Sequence, residues 1–194
     1  MSDAQMLILT GPPGSGKTTA GRLVASEFTP SVVVDADFIW ASVVNGLITP
    51  WEPLADTQNQ VMVHAALSTA VRFVRGGYVT VLEGHVGPWW MDLIREELTD
   101  LNVPVSYVVL RPSIDDCLSR SVDRLKEPRH AGALTLEDPI RAMHAQYERL
   151  GPYEKHVLNN SGLSADETAL SIVGRLAASS DLVLTPQASS QRDH

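Results

Sequence analysis

The stretch LILTGPPGSGKTTAGRLVA, residues 7–25, most constrains what this chain can become. An apolar, β-rich run breaks into Gly, Pro and Ser, then resumes with helical spacing at Ala20, Leu23 and Val24. Such a segment must leave a strand and enter a helix within a few residues, so it demands a β–turn–α unit. The rest of the chain repeats that alternation. Apolar runs at 6–10, 31–36, 78–83, 103–110 and 155–159 read as strands. Helical patterns fall between them at 16–28, 38–44, 58–75, 89–98, 114–125 and 140–150. A last helix starts at Ser164, with Glu167 three residues on completing a capping box. Strands separated by helices pair in parallel and give a three-layer α/β fold.

The turn fits G-x-x-x-x-G-K-[ST] from Gly11 to Thr18. Glycines at 11, 14 and 16 let successive backbone N–H groups point inward around an anion, and the helix N-terminus adds partial positive charge. Lys17 reaches β- and γ-phosphates as a point charge, and Thr18 offers a hydroxyl to Mg²⁺. Gly11, Pro12, Pro13, Gly14, Ser15, Gly16, Lys17, Thr18 and Thr19 are therefore the expected nucleotide-phosphate site, with ATP and Mg²⁺ as the expected cofactors. Two common uses of such a loop find no support. The Asp-x-x-Gly and Asn-Lys-x-Asp motifs of GTPases are absent, and VVVDAD follows the glycine turn too closely to be the downstream acidic strand of a mechanical ATPase.

Composition bounds the partners. The 194 residues are 44% hydrophobic and 20% charged, ordinary values for one globular domain, taken as 1–181 with a flexible tail at 182–194. A net charge of -8 argues against a nucleic-acid partner. No apolar run approaches a membrane span, and MSDAQ lacks the pattern of a secretory signal, so a cytoplasmic protein, monomer or homodimer, is expected. Cys117, the single cysteine, excludes an internal disulfide and falls mid-pattern in a helix, where it reads as core.

Three further stretches carry chemistry. DAD places Asp35 and Asp37 two apart at the carboxyl end of the second strand, on one face if extended, although Asp37 is also placed to cap a helix from Phe38. LEGHVGPWW ends the third strand on Glu83, near the expected Mg²⁺, and His85, Trp89 and Trp90 are candidates to line an acceptor pocket. After the fourth strand, Arg111 is a candidate to stack on adenine, and Arg120 and Arg124 share a helix face, where ion pairs with Asp116 or Asp123 are the alternative.

The glycine turn, DAD, the helical insert before the third strand and the arginines after the fourth together resemble the small P-loop kinases. That group includes shikimate and gluconate kinases, chloramphenicol phosphotransferase and zeta-toxin-like kinases. The resemblance spans about residues 6–178. It implies a P-loop NTPase fold with a five-stranded parallel sheet in order 2-3-1-4-5 and a lid at about 124–139. It implies Asp35 on the metal side and Asp37 orienting or deprotonating an acceptor hydroxyl. It implies that Arg120, Arg124 and Arg129 neutralise the moving phosphoryl group, and that the segment around Asn160 binds the base. FIWASVVNG lacks the arginine that clamps the shikimate carboxylate, and EGH replaces the run of three glycines in that family. The expectation is thus a phosphotransferase acting on a small-molecule hydroxyl: a sugar, nucleoside or antibiotic-like compound. The alternatives are a nucleotide kinase, for which Arg72 and Arg75 are few cations, and a nucleotide-binding regulator without transfer.

Overall fold

The computed structural model describes residues 4–124, 137–178 and 183–184. Five parallel strands form one sheet: β1 (Met6–Thr10), β2 (Ser31–Asp35), β3 (Val79–Glu83), β4 (Val105–Leu110) and β5 (Val157–Leu158). Their order is β2-β3-β1-β4-β5, as the resemblance implies. The helices are α1 (Lys17–Ser26), α2 (Ala36–Ala41), α3 (Asp56–Arg75), α4 (Met91–Glu97), α5 (Ile114–Arg124), α6 (Glu137–Ala145) and α7 (Ala165–Ala178).

β1 is buried at every position, because it lies mid-sheet with helices on both faces. Its alternate residues feed two cores. Met6 and Ile8 pack with Val63, Leu67, Ala70 and Ile94 on the α3–α4 side, while Leu7 and Leu9 pack with Ala20, Val24 and Ile172 on the α1–α7 side. Register then fixes the site. Leu9 and Asp35 both pair opposite Glu83, so the glycine turn, Asp35 and Glu83 leave the sheet side by side at its carboxyl edge, where open α/β sheets place ligands.

Several boundaries differ from the sequence reading. The fifth strand is only Val157–Leu158, because a 3₁₀ turn at Gly151–His156 takes up Lys155 and His156. The α6 helix ends at Ala145, short of the expected Leu150. Two residues of the expected tail, Val183 and Leu184, are among those described. Val183 bridges antiparallel to Ser106, Leu184 donates its N–H to the Val105 carbonyl at 2.7 Å, and the Leu184 side chain joins the core. The short β5 leaves that half of β4 open, and apolar Val183–Leu184 fits it. The expected capping box is present, with Glu167 N–H on Ser164 Oγ at 3.2 Å and Ser164 N–H on Glu167 Oε2 at 2.8 Å. Among the described residues, no helix is long and apolar enough to cross a membrane.

Candidate active site

The glycine turn rises from Thr10 and enters α1 through Gly16, whose φ of 93° makes it a left-handed N-cap. Gly14 has φ 77°, and a Cβ there would lie 2.2 Å from the Cys117 carbonyl oxygen, so the loop rests directly on α5. Cys117 is buried, and burial pushes its thiol up to about 11, which makes it packing and no nucleophile. Gly14→Ala is expected to cost about 2–3 kcal/mol from backbone strain and overlap. Thermal melting reads the loss, and an unchanged melting temperature would contradict this packing.

Lys17 is 7% exposed, and its ammonium donates to the Gly11 carbonyl at 3.0 Å and the Pro12 carbonyl at 3.1 Å. Beside it, Glu83 is 1% exposed, and neither carboxylate oxygen has a hydrogen-bond partner among the described residues. Burial pushes Glu83 up to about 7; Asp35 and Asp37 add to the rise, and Lys17 and the nearby Thr18 hydroxyl oppose it. A buried carboxylate next to a threonine hydroxyl supplies oxygen donors that suit a hydrated Mg²⁺, and Lys17 is a neighbouring charge rather than a ligand.

The acidic pair at the end of β2 is arranged differently from the extended reading. The strand stops at Asp35 and the helix begins at Ala36, so Asp35 and Asp37 do not share a strand face. Asp35, not Asp37, is the helix cap: its Oδ1 accepts the Phe38 N–H at 3.3 Å. Burial and the Asp37 charge hold its carboxyl above the usual range. Asp37 sits exposed in the first turn of α2, and its charge is felt at Glu83, His85 and Tyr147.

On the other side of Glu83, His85 is fixed by residues far away in sequence. Its Nδ1 pairs with the Tyr147 hydroxyl at 3.1 Å, which pairs in turn with Thr10 Oγ1 at 3.0 Å. Burial, and next the Lys17 charge, lower His85 to about 4, so the imidazole is neutral near pH 7. Trp89 packs on both rings, with centroids 5.2 Å from His85 and 5.2 Å from Tyr147. Tyr147 carries no signal along the chain: it stands 137 residues from Thr10, and only the fold brings the two hydroxyls together.

The two nucleotide-side residues expected after β4 and β5 both have side-chain partners within the protein. Arg111 forms a two-pronged ion pair with Glu154 at 3.1 and 2.9 Å and donates to the Tyr147 carbonyl at 2.8 Å. Asn160 turns its side chain inward, donating to the Ser15 carbonyl at 3.0 Å, and supports the turn from below. Arg120 joins the same strut, reaching the carbonyls of Ser15 at 3.4 Å, Asn160 at 3.1 Å and Leu163 at 3.2 Å. Arg124 ends α5, while Arg129 and most of the expected lid lie outside the described residues.

Residues 6–150 match the AAA-domain family AAA_33. Among curated proteins the chain is similar to threonine synthase-like 1 of Mus musculus, 28% identical over 171 residues, covering 84% of this chain and 21% of that protein. The chain thus spans about a fifth of the length of the curated relatives it matches. Among solved structures, the APS kinase CysC of Mycobacterium tuberculosis, in complex with AMPPNP and APS, superposes with TM-score 0.65 at 17% identity, covering 90% of this chain and 98% of that one. The tunicamycin resistance protein of Deinococcus radiodurans gives TM-score 0.63 at 13% identity, covering 94% and 99%. At these identities the likeness is one of fold. By family match and by strand order together, this chain belongs to the AAA_33 family of AAA domains and has the fold of the P-loop kinases.

Proposed function

We propose that the protein is an ATP- and Mg²⁺-dependent kinase that phosphorylates a hydroxyl of a small molecule. The observation that carries this reading is a second carboxylate beside the metal-side one: Asp37 sits exposed in the first turn of α2, and its charge is felt at buried Glu83. A nucleotide and its Mg²⁺ account for Glu83 alone. A phosphoryl acceptor needs the second group, because its hydroxyl must be oriented and relieved of a proton.

The loop N–H groups and Lys17 bind the β- and γ-phosphates, with the lysine ammonium turning from the Gly11 and Pro12 carbonyls to phosphate oxygens. Thr18 and Glu83 are the residues that would hold Mg²⁺, the latter through water, and the ion would neutralise charge on the phosphates. Asp37 orients the acceptor hydroxyl and takes its proton as the oxygen attacks the γ-phosphorus. The β–γ bridging P–O bond breaks and ADP departs. Arg120 holds the loop in shape through Ser15 and Asn160 rather than touching the phosphates. The solved APS kinase, with AMPPNP and APS bound, supports the nucleotide side of this reading.

Stimulated ADP release across sugars, nucleosides and antibiotics is the test. Asp37→Asn is expected to lower acceptor-dependent release by about 10³-fold while ATP binding survives. Full transfer in that variant would remove Asp37 from the role of base. Stimulation by no acceptor would favour a nucleotide-binding regulator.

A further inference from the structure

Beyond the donor site, the β3–α4 connection builds an aromatic shelf. His85, Trp89 and Tyr147 are in mutual contact, the His85–Tyr147 centroids being 5.4 Å apart and close to perpendicular. Tyr147 is wholly buried and His85 is tethered to it, so neither ring is free to turn. Trp89 rests on both and keeps 43% of its surface exposed. Room for the indole comes from Gly87. A Cβ there would lie 2.3 Å from the indole carbons, yet its φ of -72° suits any residue. The bare backbone therefore serves the indole, not a turn.

The charges beside this shelf have one prevailing sign. The Asp37 charge is felt at His85 and Tyr147, and it acts with Asp35 on Glu83, two residues before His85. Among the described residues, the cations recorded next to these carboxylates are Lys17, which serves the donor phosphates, and Arg22 on the exposed side of α1. An acceptor with its own carboxylate or phosphate would meet like charge there. A ring placed on the indole would gain burial and stacking.

Resting on the kinase reading, we propose that the acceptor is a hydroxyl compound with a flat or apolar ring face and no negative charge, and that Trp89, backed by His85 and Tyr147, is the platform on which that ring lies. Trp89 and Gly87 then set acceptor specificity.

The test pairs matched compounds: a nucleoside against its 5′-monophosphate, and 4-nitrophenyl glucoside against glucose and gluconate. ADP release is measured with ATP and Mg²⁺, and binding without turnover is followed by saturation-transfer NMR. Release and binding are expected to favour the nucleoside and the aryl glucoside. Trp89→Ala and Gly87→Ala should each raise KM or Kd for them about tenfold with little change in kcat, while Trp89→Phe stays within about threefold. Melting curves confirm that each variant is folded, and Gly87→Ala decides the matter if Trp89→Ala is not. Preferred turnover of gluconate or the monophosphate would overturn the proposal and leave the kinase reading standing. Ring compounds that bind in a Trp89-dependent way without any ADP release would support the platform and remove the kinase reading. If ring compounds neither bind nor turn over, the platform is overturned.

Discussion

Lys17→Met is expected to lower acceptor-dependent ADP release by about 10³-fold while the protein melts within a few degrees of wild type. The reason is the difference between what the ammonium does at rest and during transfer. At rest it is held by two neutral carbonyls, Gly11 and Pro12, in a nearly buried position. Those bonds offset the desolvation of the charge without adding much net stability. During transfer the same charge faces phosphate oxygens whose negative charge is shifting towards the leaving group, where a fixed cation in a water-poor site has its largest effect. Methionine keeps the stem and removes the charge. Single-turnover kinetics and melting curves, run together, separate the two contributions. Melting far below wild type, with transfer per folded molecule unchanged, would make Lys17 a structural residue instead.

Glu83 and His85 are expected to give opposite pH slopes to folding stability, and to mask each other in the wild-type protein. The signs follow from the directions of their shifts. Glu83 is raised from 4.5 to about 7, so the folded protein takes up its proton more readily than the unfolded chain. Its contribution is best below about pH 4.5 and is lost as pH rises towards 7. His85 is lowered from 6.5 to about 4, so the unfolded chain takes up that proton first. Its contribution is best above about pH 6.5 and is lost as pH falls towards 4. Shifts of this size are each worth on the order of 3 kcal/mol. In urea unfolding between pH 4.5 and 6.5, Glu83→Gln should therefore gain stability with rising pH relative to wild type. His85→Gln should lose it. Parallel curves for the two variants would mean that neither group is held as the burial of this site requires.

The parts of the site that the sequence discloses are those made by neighbours along the chain. Gly11 to Thr18 act through their own backbone, so spacing alone is enough to read them. Alternating strands and helices likewise carry the parallel α/β class, while the strand order rests on the resemblance to the small P-loop kinases. The Asp35–Asp37 turn was half legible. Residue types and strand-end position pointed to function, but the point at which strand becomes helix decides which carboxylate caps, and that point is Ala36. The bracing roles of Arg111 and Asn160 were not legible, because a polar residue after a strand looks the same whether it faces a ligand or braces a loop. Their partners, Glu154 and the Ser15 carbonyl, lie 43 and 145 residues away. Tyr147 was invisible for the same reason. Periodicity identifies a buried tyrosine but not the histidine it will hold.

The pairing of Val183 and Leu184 with the start of β4 bears on how the molecule keeps company with copies of itself. With β5 only two residues long, Val105 and Ser106 would otherwise present unpaired backbone groups along an apolar strand. Such an edge is an invitation to add a strand from another molecule. By closing it from within, the chain's own last described residues act as a selvedge, finishing the cloth of the sheet so that it does not unravel into its neighbours.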